Sequence, residues 1–552
     1  MTLETILTDE IIDEYTKAGY WQNKIITDFL DEVVARTPDK VAAVDPRRQV
    51  TYAELAAEVD RAALGFLELG IEPGDVISFQ LPNWIEFLVV HFAATRIGAV
   101  SNPLIPIYRD REVGFMVQLA ESKLIVIPGE FRGYDHAAMI DRLRPEWPAL
   151  QHVLVLGGKA EEANSWATFA ATPWEQRRDP ATLAALRPDP NEVTLLMFTS
   201  GTTGEPKGVM HTHNTLVAAN APLPDRLGVG KDSVIHMAST FAHLTGMLYG
   251  VRLPTQVGGA TGVYQDVWNN ADFVELVGKH RISYTSAATP FLHDTLNAPN
   301  LADHDLSSLQ RFCCMGAPIP PAIVRAAQAR FPDLTVLGGW GQTENGLVTL
   351  GIPGDPPEII AERDGFPWPG MELRIVDATD GAGNTMLPAG EAGRLQVRGP
   401  FLFAGYARRL EMTRELFFDG FFDTGDLAYL DEKGYLKLAG RTKDVIIRGG
   451  ENIPVAYVEN ALYENPKIAS VAVIGIPDPR LQERACACVV LRPGVDGFTF
   501  EEMKTFLGEK GVAKQYWPER LEVLAELPAT ASGKIQKFKL RQQVARAEEG
   551  TS

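Results

Sequence analysis

Short apolar runs that alternate with helical stretches constrain this chain more than any other feature. The runs are Val76–Gln80, Leu124–Pro128, Val153–Gly157, Val193–Phe198, Ser233–Met237, Ile282–Ser286, Leu309–Met315 and Thr335–Gly338, each of strand length. Helical patterns such as Pro320–Ala329 lie between several of them, and another, Tyr52–Leu69, precedes the first. Parallel strands need a crossover between them, most often a helix, so the alternation predicts an α/β protein with mainly parallel sheets. Near residue 371 the texture changes. Met371–Asp377, Gly393–Val397 and Tyr435–Leu438 are short strand patterns separated by Gly, Pro and Asp, which predicts a smaller antiparallel or barrel-like element. The 552 residues exceed one hydrophobic core, and residues 441–552 are long enough to fold as a unit of their own.

Charge and cysteine usage exclude several functions. Against 71 acidic residues stand 52 basic ones, and a net charge of −19 argues against nucleic acid as a partner. The imbalance is uneven: residues 441–552 carry 16 basic against 15 acidic side chains, the rest 36 against 56. The basic positions Lys534, Lys537, Lys539 and Arg541 face either a polyanionic ligand or solvent. No run reaches 18 apolar residues, and Met1–Tyr20 is acidic where a signal peptide would be basic and then apolar. Four cysteines, paired as Cys313–Cys314 and Cys486-x-Cys488, fit no zinc spacing and suggest a reducing compartment. Cytoplasm is the expected location. Monomer and homodimer both stay open.

The first segment with evident chemistry follows the Val193–Phe198 run. Residues 199–208 read Thr-Ser-Gly-Thr-Thr-Gly-Glu-Pro-Lys-Gly. Hydroxyl donors at Thr199, Ser200, Thr202 and Thr203 alternate with Gly201 and Gly204, which let the backbone come close to an anion. Lys207 adds a compact positive charge, worth roughly 4 kcal/mol at about 4 Å from a phosphate oxygen and an effective dielectric near 20. The Walker spacing is absent, and no helix is evident directly after the loop. A flexible Ser/Thr/Gly linker is the competing reading, which the strand on one side disfavours.

Further segments belong with this loop. Gly338-Gly339-Trp340-Gly341-Gln342-Thr343-Glu344 follows a strand and ends in a hydroxyl and a carboxylate. Phe422-Asp423-Thr424-Gly425-Asp426 ends in another carboxylate, and Gly440-Arg441-Thr442-Lys443-Asp444 and Gly449-Gly450-Glu451-Asn452 come next. Pro528 to Ile535 places Lys534 on a glycine-flanked loop, and Gly390–Pro400 is closed by Gly405-Tyr406. In this order, from about Val41 to Lys537, the segments resemble the adenylate-forming family of acyl-CoA synthetases, amino-acid adenylation domains and luciferase. The resemblance is nearest to AMP-forming acid–CoA ligases. It implies a large N-terminal domain, 1–440, of two doubly wound sheets and a small distorted β-barrel, and a smaller mobile α+β domain, 441–552.

The resemblance also implies a two-step reaction with ATP, Mg²⁺ and CoA: a carboxylate attacks the α-phosphate of ATP, and a thiol then displaces AMP. Cations must offset the repulsion of carboxylate and polyphosphate in the first step. Lys534 is implied as the ammonium that bridges them, while Lys537 and Lys539 read as solvated surface groups. Glu344 is a hard oxygen ligand suited to Mg²⁺, and Thr343 suits the α-phosphate. Trp340 offers a face to the adenine, worth about 1–3 kcal/mol, or else fills a core; the family has tyrosine there more often. Gly341 and Gln342 belong to the same nucleotide-binding turn, and Gly316-Ala317-Pro318 is implied as a wall under the purine. Asp426 can accept from both ribose hydroxyls, and Arg441 can donate to the same sugar. The small domain is implied to swing about Lys443, bringing Gly449, Gly450 and Glu451 to the CoA tunnel, although two adjacent glycines also suit a tight turn.

The acid is read from the segments the family uses for its acyl pocket: Phe241–Gly246, Ser286–Leu292 and Gly338–Gly339. Phe241, His243, Ala287, Gly338 and Gly339 are the implied lining, with His243 either a gate beside the reacting carboxylate or a structural histidine. These segments hold one ionisable side chain, His243, and no lysine or arginine before the glycine pair, so a mainly apolar acid is expected: medium-chain, alicyclic or aromatic. Ala242 stands where amino-acid adenylation domains usually carry aspartate. The alternative acceptor to CoA is a separate carrier protein.

Overall fold

The structure is a computed structural model that describes the chain apart from residues 1–2, 159–163, 200–205, 317–318, 320, 442–445, 449–450, 454, 479–481, 511, 513, 530–534 and 550–552. The chain falls into two compact units, residues 1–372 with 398–417, and residues 373–397 with 418–552.

The larger unit holds two sheets. In the first, nine strands run in the order Phe366–Pro367, Gly346–Leu350, Thr335–Gln342, Arg311–Met315, Tyr284–Ala287, Val234–Met237, Thr261–Tyr264, Val41–Val44 and Gln49–Thr51. Its centre is parallel, from Thr335–Gln342 to Val41–Val44, and its edges are antiparallel. The second has seven strands, in the order Gly405–Tyr406, Lys207–Thr212, Val193–Thr199, Val100–Pro103, Val76–Phe79, Leu124–Pro128 and His152–Leu156. It too is parallel except where Lys207–Thr212 pairs with Val193–Thr199 and Gly405–Tyr406.

Local chemistry explains several element starts. Thr51 caps the Tyr52–Glu68 helix by accepting from the Glu54 N–H at 3.2 Å, while the Glu54 carboxylate takes the Thr51 N–H at 2.7 Å. Thr212 and Thr215 close the same reciprocal pair at the head of the His213–Asn220 helix, at 3.2 and 3.1 Å. The strand Lys207–Thr212 therefore intervenes between the Thr/Ser/Gly loop and the next helix, as the absence of a helix start after the loop requires. All four cysteines are buried and unpaired, and burial pushes the Cys313 thiol up to about 12.

Two segments are more extended than their glycines suggest. Gly338–Gln342 does not follow a strand; it lies inside the Thr335–Gln342 strand, opposite Gly346–Leu350. Asp423–Asp426 lies inside the strand Phe421–Leu430. The reason is close approach. A Cβ on Gly339 would come within 2.6 Å of the Thr349 carbonyl oxygen, and one on Gly341 would collide with the Gly346 carbonyl.

In the smaller unit, Glu372–Val376, Gly393–Arg398, Phe421–Leu430 and Phe417–Phe418 form a sheet in that order, with Leu436–Arg441 also paired to Phe421–Leu430. Its pairings with Gly393–Arg398 and Leu436–Arg441 are antiparallel, in line with the texture change near residue 371. A second sheet runs Glu451–Ile453, Ile446–Arg448, Gln482–Leu491, Ile468–Asp478, with Arg520–Val523 alongside Gln482–Leu491. The helices Val455–Tyr463 and Phe500–Glu509 share an apolar core with it through Val458, Leu462, Met503 and Leu507. Leu540 and Val544 of the Lys537–Glu549 helix cover Cys486 and Cys488 on this sheet. The fold is α/β in the larger unit and α+β in the C-terminal segment. No helix among the described residues is long and apolar enough to cross a membrane.

Candidate functional site

The Thr/Ser/Gly loop joins two strands of one hairpin. Thr199 and Lys207 are cross-strand partners at its mouth, and Gly208 faces Phe198. Ser200, Gly201, Thr202, Thr203 and Gly204 lie outside the described residues. The Lys207 ammonium stands 4.8 Å from the centroid of the Tyr406 ring, on the strand that borders Lys207–Thr212.

A turn of the nine-stranded sheet meets this hairpin. Thr343, Glu344 and Asn345 join Thr335–Gln342 to Gly346–Leu350, and Gly346 takes the left-handed conformation with φ of 60° that the reversal needs. Asn345, fully buried, accepts the Gln342 N–H at 2.7 Å. Three contacts come from elsewhere in the chain. His211 Nε2 donates to the Thr343 carbonyl at 2.7 Å, the Phe403 N–H donates to the Glu344 carbonyl at 2.8 Å, and the Tyr406 hydroxyl donates to Glu344 Oε1 at 2.8 Å. His211 sits on the loop hairpin, and Phe403 and Tyr406 on the segment that borders it. The seven-stranded sheet thus holds, through backbone and side chain, the turn that carries the candidate metal ligand.

The protonation states follow from the surroundings. Burial holds the His211 imidazole down at about 4, so it is neutral at pH 7. A carbonyl can only accept, so its one proton sits on Nε2, leaving Nδ1 3.3 Å from the Thr215 hydroxyl. Burial, and after it the charge of Glu344, holds the Tyr406 phenol well above its ordinary value, so the hydroxyl keeps the proton it donates.

The other expected residues of this unit are spread over neighbouring strand ends. Trp340 is buried, 6% exposed, and its backbone N–H donates to the Thr349 hydroxyl at 3.3 Å. Gly316 follows Arg311–Met315 with φ of 82°; Ala317 and Pro318 lie outside the described residues. Ala287, Cys314 and Gly338 are in register across three adjacent strands. Ala287 and Cys314 belong to the apolar core, and a Cβ on Gly338 would touch Ile319 of the same cluster at 3.0 Å. Gly339, one residue on, turns to the opposite face. Phe241 is fully buried, edge-on to Phe87 and Tyr264 at 5.2 and 4.7 Å, with its N–H on Asn83 Oδ1 at 2.8 Å. His243 is half-buried; its N–H donates to the Thr240 carbonyl, and its own carbonyl accepts from the Met247 N–H.

In the smaller unit, Asp426 and Arg441 are partners in the register of two antiparallel strands. Asp426 is buried, 4% exposed, and its N–H donates to the Thr424 hydroxyl at 3.1 Å. Thr424 in turn donates to the Leu395 carbonyl at 2.8 Å, and Asp423 pairs with Arg394 at 2.9 Å. Gly425, with φ of 71°, lets the strand kink between the two aspartates. Glu451 opens a strand opposite Arg448, while Lys443, Gly449, Gly450 and Lys534 lie outside the described residues. A bridge between Ala529 and Ile535, with the Gln536 N–H on the Pro528 carbonyl at 2.7 Å, closes the base of the segment that carries Lys534.

Sequence reasoning missed His211, and it took Tyr406 only as part of a family-like segment. Neither residue sits in a pattern that names its partner; the one local signal near His211 is the Thr212–Thr215 pair, which marks a helix start.

Comparison with known proteins places the chain among relatives over nearly its whole length. A profile of the AMP-binding enzyme family matches residues 30–407, and one of the AMP-binding enzyme C-terminal domain matches residues 457–534. A medium-chain fatty-acid–CoA ligase of Escherichia coli (strain K12) is 36% identical over 96% of this chain and 92% of its own. A salicylyl-CoA synthase / salicylate adenylyltransferase of a Streptomyces species is 32% identical over 96% of each chain. The crystal structure of the anthranilate CoA ligase AuaEII in complex with anthranoyl-AMP superposes with a TM-score of 0.84, covering 95% of this chain and 98% of that one at 24% identity, a likeness of fold.

Proposed function

The chain belongs to the AMP-binding enzyme family, and on that premise we propose that it is an acid–CoA ligase for an apolar carboxylic acid. The carboxylate attacks the α-phosphorus of ATP, the bond to the bridging oxygen breaks, and pyrophosphate leaves. The thiolate of CoA then attacks the acyl carbon and expels AMP. The observation that carries this reading is the braced turn at Thr343 and Glu344, its Thr343 carbonyl and Glu344 carboxylate both held beside the hairpin that begins its second strand at Lys207.

Each residue has a part in that scheme. The Thr199–Lys207 loop holds the phosphates, with Thr343 on the α-phosphate. Trp340, Gly341, Gln342 and the Gly316–Pro318 stretch bound the purine. Asp426 and Arg441, opposite each other on paired strands, take the ribose. Lys534 neutralises the charge that builds between carboxylate and phosphate, where a single preorganised cation is worth most. Functionally we divide the chain at 440/441, with a hinge at Lys443 that exchanges Lys534 for the Gly449–Glu451 segment as CoA enters.

Glu344 suits Mg²⁺. Among the described residues no cluster of three His, Cys, Asp or Glu could hold a metal alone, and Mg²⁺ at such sites takes one or two carboxylates plus substrate phosphates. Bound there, it would draw charge from the phosphate oxygens. The pocket segments hold no lysine or arginine, with His243 as their one ionisable side chain, which supports a medium-chain, alicyclic or aromatic acid over a dicarboxylate. Unpaired buried cysteines support a cytoplasmic setting.

The test is a panel of medium-chain, alicyclic and aromatic acids with ATP, Mg²⁺ and CoA. Acid-dependent pyrophosphate release together with a free CoA thioester by mass spectrometry is the expected result. Adenylate without thioester would favour a carrier protein as acceptor. No acid-dependent pyrophosphate from any member would overturn the proposal.

A further inference from the structure

Among the described residues Tyr406 touches two charged groups of the proposed phosphate end of the site, Glu344 and Lys207, and it does so with different parts of one ring. Its hydroxyl, in the ring plane, donates to Glu344 Oε1 at 2.8 Å; its face carries the Lys207 ammonium 4.8 Å from the centroid. A phenol can do both at once, because the donor lies at the edge and the negative quadrupole on the face. The ring is 3% exposed and has little freedom. Its N–H is held by the Thr413 hydroxyl at 3.0 Å, and Thr413 is itself fully buried and donates to the Arg409 carbonyl at 2.9 Å. Phe403 packs against it at 4.9 Å and holds the Glu344 carbonyl through its own N–H. The preceding Gly405, with φ of 125°, gives the chain the bend that brings Tyr406 beside Val209 of the loop hairpin.

We propose that Tyr406 is a positioning residue that sets the Glu344 carboxylate and the Lys207 ammonium at a fixed spacing before nucleotide arrives. The proposal rests on the reading of Glu344 and Lys207 given above. By accepting from the phenol, Oε1 fixes the plane of the carboxylate, so its remaining lone pairs keep one direction for a hard cation. Removing the hydroxyl leaves Glu344 free to rotate and weakens the cation without removing a ligand. Removing the ring as well takes away the resting place of Lys207 and weakens the phosphates.

The experiment titrates Mn²⁺ by electron paramagnetic resonance in the presence of a non-hydrolysable ATP analogue, and the analogue alone by calorimetry. Loss of a hydrogen bond to a charged group predicts about 10-fold weaker Mn²⁺ binding for Tyr406→Phe, with metal-free analogue binding within about two-fold of the parent. Tyr406→Leu is expected to show the same Mn²⁺ loss and, in addition, about 2- to 5-fold weaker binding of the analogue alone. In a Glu344→Gln background Tyr406→Phe should add almost nothing, since the hydroxyl acts through that carboxylate. Should Tyr406→Phe fail to fold, Tyr406→His serves: an imidazole is too short to reach Glu344, so the same Mn²⁺ loss is expected. Parental Mn²⁺ affinity in the folded variant overturns the proposal. So does a lowered melting temperature with binding unchanged, the mark of a packing role alone. Both readouts are binding, so the contrast stands or falls separately from acid-dependent pyrophosphate release, which tests the reaction.

Discussion

Glu344 in the larger unit and Asp426 in the smaller one are both carboxylates expected at the nucleotide, and they are held in opposite ways. Around Glu344 the hydrogen bonds reach across the chain: His211 and Phe403 take the carbonyls of the turn, and Tyr406 takes the carboxylate itself. Those around Asp426 include near neighbours. Thr424 takes its N–H, Gly425 bonds to Asp423, and its strand partner is Arg441. The first carboxylate is therefore wired into the junction of two sheets, and disturbing its supports disturbs the fold. The second lies within a strand, opposite Arg441 on the next, and its chemistry is expected to separate more cleanly from stability.

That contrast can be broken at three points. The largest effect is expected at the smaller unit's Lys534, where Lys534→Ala should cut adenylation by roughly 10²–10⁴-fold, the range for loss of one preorganised charge or acid–base group. The melting temperature should stay put, and CoA transfer from a supplied acyl-adenylate should be nearly untouched. Equal loss in both half-reactions would remove Lys534 from the first step.

Next comes acid. A histidine in the unfolded chain titrates near 6.5, whereas burial holds His211 at about 4 in the fold. Between those values the unfolded state binds a proton that the folded state refuses, so stability falls as pH drops from about 6.5 to about 4 and levels off below. His211 alone would account for roughly 3 kcal/mol of that loss. His236, held at about 3 by burial, acts with the same sign, so the informative quantity is the difference between parent and His211→Gln. The variant should melt lower at pH 7, because the Thr343 brace is altered, yet its melting temperature should depend less on pH between 7 and 4. An unchanged pH slope would show that His211 titrates in the fold as it does in the unfolded chain.

The smallest effect is expected at Asp426→Asn. Weakening one charge-assisted acceptor on the ribose should raise the KM for ATP about 10-fold with kcat nearly unchanged, the pattern of lost uniform binding. Melting should shift little. A large drop in melting temperature would mean that Asp426 is as deeply tied to its unit as Glu344 is, and the distinction between the two carboxylates would vanish.

Much of the fold was legible because its signals are local. Leu124–Pro128 is a strand as its apolar run predicts, and Pro321–Arg330 and Tyr52–Glu68 are helices within a residue or two of their patterns. The antiparallel texture after residue 371 was legible for the same reason: turn residues interrupt short strands. The Gly-rich stretch Gly338–Gln342 was not. Glycine usually announces a turn, but here it serves close approach to the Gly346–Leu350 strand, and nothing local distinguishes the two uses. The register that puts Asp426 opposite Arg441, like the core-facing register of Ala287, Cys314 and Gly338, had no sign in the order of residues.

By itself, the order of residues determined the α/β class, the family and the chemical types of the candidate site residues, because periodicity, hydroxyl-rich loops and charged motifs are properties of short segments. Only the tertiary structure decided how the Thr343–Glu344 turn is held. His211, Phe403 and Tyr406 lie far along the chain from that turn, and they meet it because strands of one sheet end where a hairpin of the other begins.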